Sequence, residues 1–163
     1  MLFEVVEDQN DATALGRLVE YFIEMGELDK AASTALALRR FPADFVAWVV
    51  RAEVDLARGD EVGFATSLKL LQSRLAGKTA PILPWDLRVG LGVLLAKAKQ
   101  PALAREQLRL CLESADDKKL RALTTGSLYR LMVLSRAFDL TVEPKLRAVA
   151  LDLLPSDFRE RLR

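Results

Sequence analysis

The sequence predicts an all-α chain built from antiparallel helix pairs that repeat along its length, and three observations predict it. Apolar side chains recur with helical spacing, first at Leu15, Leu18, Val19, Phe22 and Ile23, the i, i+3, i+4, i+7, i+8 pattern of one buried helix face. Glycines punctuate this pattern at Gly26 and Gly59, 33 residues apart, a separation close to one helix-turn-helix unit. The composition is 51% hydrophobic, with only 8 Gly and 6 Pro among 163 residues, too apolar for a disordered chain and weighted towards the strong helix formers Ala and Leu. No segment alternates with period two for long enough to form a strand.

The elements follow in order from their start and stop signals. A first helix over 11–25 is capped by Asn10 or Asp11 and stopped by Gly26, since glycine alone enters the left-handed C′ conformation without steric cost. A second, over 29–40, is small on one side at Ala31, Ala32 and Ala35 and ends at Phe41-Pro42. The plan repeats with helices over 44–58 and 61–76 around Gly59-Asp60. Residues 77–84, with Pro81 and Pro84, form the one clear loop insertion. Helices over 85–98 and 101–114 come next, joined by Lys99-Gln100-Pro101. Beyond Asp116-Asp117 one longer helix runs to near Phe138, then a short helix from Pro144 to Leu154, and a last one opened by Ser156.

Particular residues sharpen the repeat. In the first unit Leu15, Leu18, Val19 and Phe22 take the packing positions of the first helix, Gly26 the turn, Ala31 the close-approach position of the second helix, and Pro42 the exit. In the second unit Trp48 precedes the small Ala52 and the turn residue Gly59, with Phe64 on the second helix. The third has Leu91-Gly92, Leu95, Ala104, Leu108 and Cys111. On these residues the chain resembles the tetratricopeptide repeat family. It departs from the family pattern where Arg51 and Asp55 replace a Leu and a Tyr, and where Phe64 replaces an Ala. The resemblance implies a right-handed superhelical solenoid of about three repeats, at 11–43, 44–76 and 84–115, in a single domain over 1–163. A divergent capping unit over 116–163 closes it, keeping Gly126 and Tyr129 but lacking the turn glycine.

The residue inventory argues against chemistry. Histidine is absent, which removes the commonest general base and metal ligand. With one cysteine and no histidine, zinc has no ligand set. Gly90-Leu91-Gly92 lacks the third glycine and the preceding strand of a dinucleotide fingerprint and already fits the repeat. Cys111 sits where a small apolar residue is needed, and Glu20-Glu24 and Asp116-Asp117 read as a solvated helix face and an N-cap region. The chain is therefore expected to be no enzyme and to need no cofactor or metal.

A lone cysteine, an acidic start without an apolar leader run, and no uncharged run near the roughly 18 residues that cross a bilayer lead to the expectation of a cytoplasmic chain without a membrane span. Charge is divided: residues 1–82 hold 13 acids and 9 bases, a balance of −4, and 83–163 hold 10 and 15, a balance of +5. The split is weaker than the basic footprint of a nucleic-acid binder.

The resemblance also places a partner groove on the first helix of each repeat. It assigns Thr13, Gly16, Glu20 and Glu24 from the first, Val46, Val49 and Glu53 from the second, and Asp86, Val89, Val93 and Lys97 from the third. The clamp with which one subgroup of the family grips an acidic peptide end is missing, since Gly16, Glu20, Val50, Asp86 and Gly90 stand at its places. Valines mixed with Glu20, Glu53 and Asp86 would favour an apolar segment with basic flanks. The function that follows is a non-catalytic scaffold or adaptor for a peptide segment or partner helix, with a small chaperone as one subtype. Two alternatives stand beside it: an RNA-binding solenoid using Lys118, Lys119, Arg121, Arg130, Arg136, Lys145 and Arg147, and a structural subunit that stacks with its own copies.

Overall fold

The computed structural model of the chain describes residues 12–42, 44–77 and 83–162, and every regular element among them is helical. They form two compact units that divide between Pro84 and Trp85, at the end of the proline-bearing segment.

The first unit holds α1 (Ala12–Glu24), α2 (Leu28–Ala37) continued by a 3-10 turn over Leu38–Arg40, α3 (Phe45–Arg58) and α4 (Glu61–Leu75). Helix α1 pairs with α2 and α3 with α4, and α3 also packs against both α1 and α2. It consequently buries most of its circumference, through Phe45, Val46, Ala47, Val49, Val50, Ala52 and Val54. Asp44 caps it, its carboxylate accepting the Val46 N–H at 2.9 Å. The proposed caps of α1, Asn10 and Asp11, lie outside the described residues.

The second unit holds α5 (Trp85–Lys97), α6 (Pro101–Glu113), α7 (Asp117–Ala122), α8 (Thr125–Ala137), α9 (Pro144–Leu153) and α10 (Ser156–Arg161). Val89, Leu108, Cys111, Leu120, Leu128, Leu131, Ala150 and Leu154 form its core. Helices α5 and α6 approach closely because Gly92 faces Leu108: a Cβ at Gly92 would lie 2.6 Å from Leu108 Cδ2 and 2.7 Å from Cγ. The Trp85 indole N–H donates to the Cys111 carbonyl at 3.0 Å, tying the start of α5 to the end of α6. Burial pushes the Cys111 thiol up to about 12, so it behaves as an apolar filler.

The longer helix predicted beyond Asp117 is two helices. The chain leaves α7 at Leu123 in an extended conformation, and Thr124 starts α8 afresh, its hydroxyl accepting the Ser127 N–H at 3.2 Å. A local cap here outweighs the helix propensity of the flanking residues, as threonine side chains do when they satisfy orphan N–H groups.

One turn recurs in both units. Gly26, Gly59, Lys99 and Asp139 all have φ between 52° and 73°. Each closes a helix with the same pair of bonds, the next residue's N–H reaching back five residues and its own reaching back three. This is the Schellman arrangement. The fourth turn, which lacks glycine in sequence, is thus made by Asp139. Because L side chains strain in this region, Lys99→Gly is expected to stabilise the chain by about 0.5–1 kcal/mol and Asp139→Gly by less, as aspartate tolerates it better than lysine. Urea midpoints check this ranking, and Gly59→Ala should move the other way.

Candidate functional site

Helix α3 is covered on most sides, but one stripe of it remains open. Trp48, Arg51 and Asp55 fall at i, i+3 and i+7 on that stripe. Across from it, α4 presents Gly63, Thr66, Ser67 and Leu70. Together with Asp60 these residues enclose a cleft of about 250 Å³. A second depression, of about 340 Å³, lies on the other side of the indole and is lined by Leu38, Arg39, Phe41, Pro42 and Ala47. Trp48 and Arg51 belong to both.

The indole is held in place from two directions. Its N–H donates to the Pro42 carbonyl at 3.0 Å, and its ring meets Phe45 at a centroid distance of 6.4 Å and an angle of 59°. With the polar handle satisfied, what Trp48 offers a ligand is ring surface.

Two acids, Asp55 and Asp60, stand in the lining of the first cleft. Asp60 caps α4 by accepting the Gly63 N–H at 2.9 Å. Asp55 accepts the Ser67 hydroxyl at 3.2 Å. Glycine at 63 leaves room for both, since a Cβ there would stand 2.6 Å from Asp60 Oδ2 and 3.1 Å from Asp55 Cγ. Burial raises the Asp55 carboxyl above its ordinary value, and the Asp60 charge raises it further, against the opposing effects of Ser67, Arg51 and Arg58. The folded chain thus binds this proton more tightly than the unfolded one, so the carboxylate's contribution to stability declines as pH rises through its range. Asp55→Asn, which keeps an acceptor for Ser67, is expected to melt higher than wild type at neutral pH and to lose that advantage in acid; thermal melts across pH check it.

The residues assigned to a groove from sequence are dispersed by burial. Gly16, Val46, Val49, Val89 and Val93 are buried, Val49 and Val89 completely, so none of them lines an open channel. Helices α3 and α5 are enclosed on nearly all sides, which draws into the core side chains that the repeat register assigns to a surface. Thr13, Glu20, Glu53 and Asp86 are half-buried, and Glu24 and Lys97 are exposed. Thr13, Glu20, Glu24 and Glu53 belong to the first unit, Asp86 and Lys97 to the second. What the sequence reading missed is the Trp48 face. Its signal was the departure at Arg51 and Asp55, two polar residues on the tryptophan's side of a helix that otherwise demands apolar ones.

Among the described residues no three His, Cys, Asp or Glu side chains gather to hold a metal, and no helix is long and apolar enough to cross a membrane. Gly90 and Gly92 lie inside α5 rather than in a phosphate-cradling loop. Comparison of the chain with protein-family models, curated proteins and solved structures gives no match.

Proposed function

We propose that the chain is a non-catalytic adaptor whose helix pairs are tetratricopeptide-like, and that the two depressions beside Trp48 take an apolar partner segment flanked by Lys or Arg. The observation that carries this reading is the indole itself, half-buried between two clefts with its N–H already satisfied. Tryptophan and arginine are the residues on which binding energy concentrates when a pocket around them excludes water. Each cleft has room for one or two side chains. Asp55 and Asp60 repel one another, so a cation arriving beside them relieves that repulsion, and the face of Trp48 favours the same charge. The recurrence of one turn at residues 26, 59, 99 and 139 supports the repeat architecture.

Random-peptide display against the full chain tests the proposal. Selected sequences should pair apolar residues with Lys or Arg and bind in the micromolar range. Thr66→Arg, an exposed change that puts a bulky cation into the cleft, should weaken them by about tenfold or more, whereas Ala65→Arg, the same cation at an exposed position of α4 outside the cleft lining, should matter little. Selected peptides that bind wild type and Thr66→Arg alike would reject the site.

A further inference from the structure

A third cleft, of about 230 Å³, lies wholly in the second unit, where the end of α8 meets α9. Its apolar lining includes Met132, Leu140 and Leu151, and Arg136 and Arg147 stand at its rim. Several other arginines of this unit are committed: Arg109 to Glu106 and Glu113, Arg121 to Asp117, Arg105 to the Phe138 carbonyl. Among the described residues, the Arg136 and Arg147 guanidinium groups make no hydrogen bond or ion pair. Asp139 shares the lining but forms an ion pair with neither.

We infer that this cleft is a docking site for an acidic, apolar peptide segment, one leucine-sized side chain entering the cleft while a neighbouring Asp or Glu side chain bridges Arg136 and Arg147. The cleft and such a segment are complementary in charge and in apolar character. Two exposed guanidinium groups at the edge of an apolar hollow hold ten N–H donors between them in forks that match carboxylates. The excess of bases over acids in residues 83–163 draws an anionic segment towards the unit before contact. An apolar side chain beside the carboxylate then removes apolar surface from water, which a purely electrostatic encounter would not do. The ligand is opposite in charge to the one proposed for the Trp48 clefts, so the inference stands or falls separately from that reading.

The test uses the full chain and N-acetylated, C-amidated peptides of alternating Glu and Leu, with Glu/Ser and Lys/Leu versions as comparisons. The Glu/Leu peptide should bind saturably in calorimetry and shift the methyl resonances of Leu140, Val142 and Leu151. Arg136→Glu with Arg147→Glu should weaken it about tenfold or more, against about threefold or less for Arg130→Glu with Lys118→Glu, exposed positions outside the cleft. Thr66→Arg should leave this binding unchanged, whatever it does to basic peptides. No saturable binding, equal binding of the Glu/Ser peptide, or equal loss from both pairs of reversals would each overturn the inference. So would a single-stranded oligonucleotide that displaces the peptide and is weakened equally by both pairs, since the bases would then serve a diffuse nucleic-acid surface.

Discussion

Gly92→Leu is expected to destabilise the second unit by about 3 kcal/mol, the upper end of the usual cost of overpacking. At Gly92 even a single added carbon meets Leu108 at 2.6 and 2.7 Å, and Leu108 is completely buried. A leucine there must push α5 and α6 apart or force Leu108 off its rotamer. Gly92→Ala should cost far less, because the gain of about 1 kcal/mol in helix propensity offsets part of the clash. The clash also predicts a coupling. Leu108→Ala alone leaves a cavity, but combined with Gly92→Leu it gives the new side chain room, so the double variant should be clearly more stable than the sum of the two losses implies. Urea denaturation of the four proteins measures this, and additive losses would show that the contact is not what limits the site.

Leu131→Ala is expected to lose about 2–5 kcal/mol, a large part of the stability of a small domain. Leu131 is fully buried on α8 within the core that also holds Leu108, Leu128 and Ala150. Val133, two residues along the same helix, is 37% exposed, and Val133→Ala should stay within about 0.5 kcal/mol of wild type. Similar losses from the two would mean that α8 packs through another face.

The helices were legible in the sequence wherever apolar spacing and glycine or proline punctuation agreed. All but two of the described α-helices correspond to predicted ones, with ends displaced by a residue or a few. The break between α7 and α8 was not legible because Leu123-Thr124 carries neither Gly nor Pro, and the cap that makes it depends on a single hydroxyl. The places of the turns after α5 and α8 were legible, the first from Lys99-Gln100-Pro101, but their left-handed conformation was not, since lysine gives no signal of it and aspartate tolerates it without requiring it. The groove valines show a different failure. The run from Val89 to Leu95 is apolar at every position, which signals a helix buried all round, yet the repeat register treated Val89 and Val93 as surface. Where a family's phase and the local hydrophobic pattern disagreed, the local pattern matched the burial. The same holds in reverse at Arg51 and Asp55, whose polarity marked the open side of α3.

The two tryptophans give the chain a built-in pair of optical probes. Trp48 belongs to the first unit and Trp85 to the second, and the sequence holds no other. Trp85→Phe therefore leaves an emission that belongs to the first unit alone, arising from an indole at the rim of the candidate clefts. Trp48→Phe leaves a signal tied to the Cys111 carbonyl at the seam between α5 and α6. A ligand seated beside Trp48 changes the first spectrum directly, and loosening of the α5–α6 pair changes the second. Unfolding of either unit and occupancy of the Trp48 clefts can thus be followed on the full chain without an added label.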